Sequence, residues 1–249
     1  MRVAALYDIH GNLPALEAVL VEVRARSLDR VVIGGDVLPG PMPRECLDLV
    51  LDLGIRTDFI IGNGDRETVA ARHGKMSDLI PQAFRATIEW NSAQLNDADE
   101  QAIAGWPLTT RVHVDGYGDV LFCHATPRND NEIFTSTTSD EKLRPLFDPL
   151  NVAAVVCGHV HMQFDRMVGN TRVVNAGSVG MPFDSPGAYW LLIDDARIEL
   201  RRTNYDLEGA AERVRRTAYP QAEVFATNSI LSPPSMQLMT EAFSKAELT

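Results

Sequence analysis

The strongest constraint in the sequence is a set of short apolar runs, each ending in polar side chains that can bind a metal ion. The first run spans residues 3–9, contains Asp8 and is followed at once by His10. Such a run is typical of a strand buried on both faces. Residues two apart on an extended strand point the same way, so Asp8 and His10 are predicted to face one centre. The alternative is an ordinary polar exit from the core.

The first part of the chain alternates predicted strands and helices. In a parallel sheet built from βαβ units, sites form at the carboxyl ends of the strands. The polar residues Asp36 and Asn63 fall at such ends. The predicted elements after the first strand are a helix over 13–26, a strand over 29–33, a helix over 45–53 and a strand over 57–61.

The second part of the chain is predicted to contain more strands, mostly antiparallel, and no internal repeat is found. His124 follows a predicted hairpin, and His159 and His161 follow a β-branched run. The tail 220–249 is expected to pack on a single domain spanning 1–249. The predicted elements are helical structure over 65–105, a hairpin over 109–114 and 119–123, helices over 140–147 and 207–216, and strands over 152–157, 171–174, 188–193 and 197–202.

Charge and cysteine content limit the function classes. The net charge is -11 and no run of Lys or Arg is dense enough to follow a nucleic-acid backbone, so bulk nucleic-acid binding is not expected. The same charge would repel a phosphate ester unless bound cations reverse the local field. Three cysteines without C-x-x-C spacing favour reduced thiols in the cytoplasm. No apolar stretch has the length of a membrane span.

Histidines are concentrated at the predicted strand ends. Of the six histidines, only His73 and His113 lie elsewhere. Mixed oxygen and imidazole ligands suit Mn, Fe, Zn or Ni better than Ca or Mg. Seven ligands are too many for one ion, but two ions can share them through a bridging carboxylate. The candidate ligands are Asp8, His10, Asp36, Asn63, His124, His159 and His161.

In this order, D8-x-H10, G35-D36, G62-N63, H124 and G158-H159-x-H161 resemble the calcineurin-like metallophosphoesterase superfamily. The stretch N175-A-G-S-V-G180 is similar to its small bacterial and archaeal phosphodiesterase branch. The resemblance implies an α/β fold of four layers, αββα, with two mixed β-sheets face to face and helices outside. It implies one metal bound by Asp8, His10 and His161, a second bound by Asn63, His124 and His159, and Asp36 bridging both.

The resemblance also implies a reaction. A dinuclear phosphodiesterase would use two divalent ions, Mn before Fe, Zn, Ni or Mg, to lower the pKa of a water that attacks phosphorus. Asp36, Asn63 and His124 would be its catalytic residues. The expected partner is a small phosphodiester or nucleotide-type substrate, no membrane is expected, and a homo-oligomer is left open.

One departure from the family pattern bears on the substrate. Many members carry a histidine after Gly-Asn as a proton donor to the leaving group, whereas Gly64 stands here. Proton donation is worth roughly 10²–10⁴-fold, so monoesters should suffer more than diesters. The alternatives are a dinucleoside polyphosphate hydrolase, a phosphomonoesterase or protein phosphatase, and a non-enzymatic scaffold. The scaffold is disfavoured because every ligand position is filled.

Three further residues are candidates for substrate binding. Asn12 could hold a ligand or a phosphate oxygen, or it could cap the following helix. Arg66 could bind a second phosphate, or it could be a surface residue at a helix start. Arg128 lies in a loop that leaves a ligand-bearing strand and is the better candidate for a phosphate contact.

Overall fold

A computed structural model of the protein describes residues 1–195 and 197–248. Its strands are β1 (Val3–Leu6), β2 (Arg30–Ile33), β3 (Thr57–Phe59), β4 (Thr109–Val114), β5 (Gly118–Cys123), β6 (Ala154–Cys157), β7 (Phe164–Val168), β8 (Thr171–Asn175), β9 (Ala188–Asp194) and β10 (Arg197–Thr203). Its α-helices are α1 (Leu13–Arg24), α2 (Pro43–Leu51), α3 (Asn63–Arg72), α4 (Gln82–Ser92), α5 (Asp97–Ala104), α6 (Asp140–Phe147), α7 (Leu207–Arg215), α8 (Ala222–Phe225) and α9 (Met236–Phe243).

The first sheet has the strand order β10-β9-β1-β2-β3. Strands β1, β2 and β3 are parallel, as their alternation with α1 and α2 predicts, and Ala4 lies opposite Val31. Every residue of β1 and β2 is buried, which explains the continuous apolar runs in the sequence. The carboxyl ends of β1 and β2 therefore open on the same edge of the sheet.

The second sheet has the order β4-β5-β6-β8-β7 and is mixed. The second half of the chain is mostly antiparallel, as expected, since β4 pairs with β5, β7 with β8 and β9 with β10 in this way, whereas β5, β6 and β8 run parallel to one another. Strands β9 and β10 instead join the first sheet, where β9 pairs with β1. Strand β7 was not expected, because an edge strand with exposed Asp165 and Met167 gives little hydrophobic signal.

The two sheets pack face to face and helices cover their outer faces. Alternate residues of β1 face opposite ways: Ala5 packs with Phe122 and Val174 of the second sheet, whereas Leu6 packs with the α1 side. The outer face of the second sheet packs against α6 and α9. This arrangement confirms the four-layer αββα architecture.

The tail contacts the body at several points. Glu247 accepts a hydrogen bond from the Thr138 hydroxyl at 2.7 Å, and the backbone amide of Leu248 donates to the Ile133 carbonyl at 2.9 Å. Phe243 packs on the outer face of the second sheet. These contacts agree with a tail that packs on the domain, whose boundaries at 1 and 249 stay a prediction.

Among the described residues, no helix is long and apolar enough to cross a membrane. Cys46, Cys123 and Cys157 are buried free thiols, and burial raises the pKa of each. The reducing compartment predicted from them stays a prediction.

Candidate metal centre

The polar residues after five strands meet at one edge of the sandwich. His10 lies between β1 and α1, Asp36 follows β2, and Asn63 begins α3. His124 follows β5, and His159 lies in the loop after β6. The structure thus brings together side chains that are distant in the sequence; His10 and His161, for example, are 151 residues apart.

The first group of donor atoms comprises Asp8, His10 and His161. His161 Nε2 lies 3.3 Å from Asp8 Oδ1 and 3.2 Å from His10 Nε2. Asp8 is fully buried, and His10 is 8% exposed. One carboxylate oxygen and two imidazole nitrogens therefore converge on one point, as a mononuclear site needs.

The second group is built around His124. Its Nε2 lies 3.2 Å from Asn63 Oδ1 and 3.6 Å from Asp36 Oδ2. Asp36 Oδ2 is also 3.6 Å from His10 Nε2, so this oxygen lies between the two groups. Asp8 Oδ1 is 3.9 Å from His124 Nε2 as well, so Asp8, Asp36 and His124 form a further set of converging donors.

Backbone carbonyls orient all four imidazoles. In each ring one nitrogen contacts a carbonyl oxygen, which leaves the other nitrogen available to a metal ion. For His10, His124 and His161 the available nitrogen is Nε2, and for His159 it is Nδ1. The carbonyl contacts are His10 to Pro39 at 3.1 Å, His124 to Gly34 at 2.9 Å, His159 to Asn131 at 3.2 Å and His161 to Met181 at 2.7 Å.

The surroundings of Asp8 Oδ1 show whether the site suits a cation. This atom is buried and is the one buried side-chain oxygen or nitrogen among the described residues without a hydrogen-bond partner. Asp8 Oδ2 accepts a hydrogen bond from the His159 amide at 2.9 Å. An unpartnered buried carboxylate oxygen is costly, and a cation among the neighbouring donors would satisfy it. The residues present therefore fit a divalent metal ion.

Charge in the site shifts the pKa values of its ligands. Burial by itself raises the pKa of Asp8, but the neighbouring His161, His124 and His10 lower it below its ordinary value. Burial, with the charge of His124, lowers the pKa of His159 to about 4. Both groups are consequently in the metal-binding protonation state at neutral pH.

The ligand-bearing backbone is left-handed at five positions. Values of φ are 53° at Asp8, 45° at His10, 53° at Asp36, 67° at His159 and 58° at His161. The expectation that Asp8 and His10 leave one extended strand is therefore wrong, since β1 ends at Leu6 and a tight turn aims both side chains inward. Such backbone is uncommon for residues other than glycine and clusters at functional sites.

Asp65 was not among the candidates, although it stands two residues after Asn63 in the sequence. Its fully buried carboxylate accepts backbone amides of Asp36 at 2.7 Å, Leu38 at 2.9 Å and Gly62 at 3.2 Å. Burial and the charge of Asp36 raise its pKa to about 8. Asp65 thus fixes the loop that carries Asp36. The only sequence signal for Asp65 was an acidic residue two positions after a candidate ligand.

Gly64 is required sterically. A Cβ there would lie 2.4 Å from the Leu38 carbonyl oxygen and 2.8 Å from Pro39 Cδ. The backbone amide of Gly64 donates to Asp36 Oδ1 at 2.7 Å. The position where many family members carry a proton-donating histidine is therefore closed to a side chain by the loop at 38–39.

The three candidates for substrate binding have different surroundings. Asn12 is fully buried, its Oδ1 accepts the Ala15 amide at 3.3 Å as a helix cap, and its Nδ2 donates to the Gly180 carbonyl at 2.9 Å. Arg66 forms ion pairs with Asp130 and Glu67. Arg128, whose side chain is 60% exposed, pairs with Glu132 at 2.6 Å.

Known proteins resemble this chain over most of its length. The protein is 28% identical over 242 residues to an uncharacterized protein of Methanocaldococcus jannaschii, covering 88% of this chain and 94% of the relative. It is similar to the crystal structure of a metallophosphoesterase from Sphaerobacter thermophilus, with 25% identity, a TM-score of 0.70, and coverage of 91% and 98% of the two chains. A hypothetical protein from Pyrococcus horikoshii shares the fold, with 20% identity, a TM-score of 0.76 and coverage of 94% and 99%.

A family model extends the comparison to the ligand-bearing part of the chain. Residues 1–196 match the model of the calcineurin-like phosphoesterase superfamily domain. The matched range includes every candidate ligand from Asp8 to His161 and both sheets up to β9. The chain belongs to the calcineurin-like phosphoesterase superfamily.

Proposed function

We propose that the protein is a dinuclear metal-dependent phosphodiesterase that hydrolyses small phosphodiester or nucleotide-type substrates. The observation that carries the proposal is the position of Asp36 Oδ2, which lies 3.6 Å from His10 Nε2 and 3.6 Å from His124 Nε2. A single oxygen between two donor groups is suited to bridge two ions. Manganese remains the preferred metal, with Fe, Zn, Ni and Mg as alternatives.

The remaining side chains suit the same assignment. Asp8, His10 and His161 would hold one ion. Asn63, His124 and His159, whose ring centroid lies 5.2 Å from that of His124, would hold the other. When bound, two such ions supply a water of lowered pKa as nucleophile and neutralise charge on the phosphoryl oxygens. The chain's own contribution is placement: buried Asp65 and four backbone carbonyls fix the orientation of the ligands.

Preference for a diester is supported by Gly64. A histidine at this position could protonate a poor leaving group, but the contact of a Cβ with Leu38 and Pro39 excludes one. Diesters with stable leaving groups depend less on proton donation than alkyl monoesters do. A phosphomonoesterase or protein phosphatase is correspondingly disfavoured, and the complete ligand set disfavours a scaffold.

Arg128 remains the candidate for contact with a substrate phosphate. It pairs with Glu132 through Nε and Nη2, and more than half of its side chain is exposed at 60%. A dinucleoside polyphosphate would place more phosphates near this loop, but no contact among residues 1–195 and 197–248 favours it over a simpler diester.

The test compares two chromogenic substrates. After chelation and addition of Mn²⁺, we expect faster hydrolysis of bis(p-nitrophenyl) phosphate than of p-nitrophenyl phosphate. The activity should disappear with chelator and return with metal. A protein that binds two ions but prefers the monoester would contradict the proposed specificity. A protein that binds two ions and hydrolyses neither would contradict the diesterase assignment for simple substrates.

A further inference from the structure

A forked ion pair joins helix α3 to the loop between β5 and α6. Arg66 Nε donates to Asp130 Oδ2 at 2.7 Å, and Arg66 Nη2 donates to Asp130 Oδ1 at 3.0 Å. The third guanidinium nitrogen, Nη1, donates to Glu67 at 2.5 Å. Asp130 is only 7% exposed, so the pair is held at the edge of the interior. Bidentate pairs of this kind fix orientation as well as distance.

The residue after Asp130 touches a candidate metal ligand. The backbone carbonyl of Asn131 lies 3.2 Å from His159 Nε2. This contact selects the tautomer with hydrogen on Nε2 and leaves Nδ1 for a metal ion. The orientation of His159 therefore depends on where the 124–138 loop places this carbonyl.

We propose that Arg66 and Asp130 form a positioning pair that holds the Asn131 carbonyl against His159 and thereby completes the second metal site. The inference rests on the two-metal centre of the proposed function. Helix α3 then serves the site twice. Asn63 at its start offers a ligand oxygen, and Arg66, three residues later, anchors the loop that orients another ligand.

The same contacts argue against Arg66 as a phosphate-binding residue. Each of its three guanidinium nitrogens already donates to a carboxylate. Three of its five N–H groups are thus occupied, and a phosphate that bound the Nε and Nη2 fork would have to displace Asp130 and release the loop at 130–131. Arg128 differs, since its partner Glu132 belongs to the same loop and their pairing ties the loop to no other element.

The test uses single variants and metal titration. We expect Arg66→Gln and Asp130→Asn each to weaken one of two Mn²⁺ sites by about 10–100-fold in calorimetric titration and to leave the other site unchanged. The double variant should bind Mn²⁺ at this site no more weakly than the more affected of the two single variants, because both substitutions act through one contact. Arg72→Gln is the matched control, since Arg72 lies on the same helix but pairs with Glu100 and Asp97.

Two additions keep the test decisive. Arg66→Lys keeps the charge without the fork, and we expect it to show a weakened second site. In ¹⁵N-histidine spectra of the metal-free wild type, His159 should have hydrogen on Nε2, and this signature should be lost in Asp130→Asn. These measurements do not need a functioning enzyme.

Two outcomes would overturn the inference. Arg66 would be a phosphate-binding residue if Arg66→Gln left both Mn²⁺ affinities intact and weakened inhibition by inorganic phosphate, while Asp130→Asn did not. If the wild-type chain bound fewer than two Mn²⁺ ions, there would be no two-metal centre, and both this inference and the proposed function would be wrong. Two bound ions without diester hydrolysis would contradict only the proposed function.

Discussion

The backbone amide of Gly64 donates a 2.7 Å hydrogen bond to Asp36 Oδ1, leaving Asp36 Oδ2 as the oxygen directed at both histidine groups. Many family members carry a histidine at this position. In this chain, a glycine there lets the backbone approach Asp36 closely. Its neighbours Leu38 and Pro39 fill the space that a side chain would need. The missing proton donor and the fixed orientation of Asp36 have the same structural cause.

Substitution of Gly64 is expected to damage the site. Gly64→Ala should destabilise the fold by about 1–3 kcal/mol through overpacking. Gly64→His should not raise monoester hydrolysis, because its ring has no room. Thermal unfolding and the rate ratio of the two nitrophenyl substrates measure these effects. Gly105→Ala is the control, since its Cβ would meet only the Ala102 and Gln101 carbonyl oxygens, at 3.4 and 3.5 Å. If Gly64→Ala left the stability unchanged, the loop at 38–39 would have moved to make room for the new Cβ.

Asp36→Asn should remove activity and disturb both metal sites. The variant keeps an acceptor for the Gly64 amide but loses the negative oxygen between His10 and His124. We expect hydrolysis to fall by more than about 100-fold, since metal coordination supplies several kcal/mol in such reactions. Metal content by mass spectrometry and initial rates are the measurements. The exposed Asp78→Asn is the control, and near-normal turnover with two bound ions would refute the bridging role.

Metal affinity should fall as the pH is lowered. Burial by itself lowers the pKa values of His124 and His161, but the charges of Asp36 and Asp8 raise them above the ordinary value of 6.5. Protons then occupy these imidazoles in the metal-free protein at a pH where free histidine is neutral, and an ion must displace them. Affinity therefore begins to weaken at a pH above 6.5 and continues to fall as the pH is lowered. Calorimetry in two buffers of different ionisation enthalpy measures the released protons, and binding without proton release would contradict the shifts.

The tail should affect the first metal site through two aromatic contacts. Phe183 stacks on His161 with ring centroids 5.2 Å apart, and Phe243 of α9 lies 6.1 Å from Phe183. Phe243→Ala should lower the unfolding temperature and weaken Mn²⁺ binding, because Phe183 loses its support. Leu238→Ala is the control, since Leu238 lies on the same helix and is 58% exposed. Equal metal affinity in both variants would limit α9 to a structural role.

Arg128→Gln should raise the KM for the diester substrate and leave metal affinity unchanged. Its guanidinium is exposed at the loop after His124 and pairs within that loop, so the change removes a cation from the approach to the site. Steady-state kinetics with parallel Mn²⁺ titration separates the two effects. A lower kcat at constant KM would instead place Arg128 at the reacting phosphate.

The first half of the fold and the clustering of the candidate ligands could be predicted because their signals are local. Buried parallel strands leave continuous apolar runs, and Asp8, Asp36 and Asn63 stand directly after such runs or within a few residues of them. The pairing of β9 with β1 could not be predicted in this way, since apolar strands of either sheet have the same pattern.

The contacts that orient the candidate ligands could not be predicted from the sequence for a different reason. The carbonyl of Asn131 and the carboxylate of Asp65 act through backbone geometry and tertiary contact, which no spacing encodes. Arg66 was assigned to substrate by its position in the sequence, whereas its partners Asp130 and Glu67 appear only in the folded chain.

Left-handed backbone at positions 8, 10, 36, 159 and 161 also limits how the protein could lose its chemistry by mutation. Gly, Asn, Asp and His adopt this conformation more readily than other residues, whereas β-branched residues do so at high cost. Substitutions tolerated at these positions are therefore expected to be drawn from glycine, asparagine, aspartate and histidine. A descendant that had abandoned catalysis would still carry residues of these four types at the same five places, so the shape of the loops would outlast the reaction they once served.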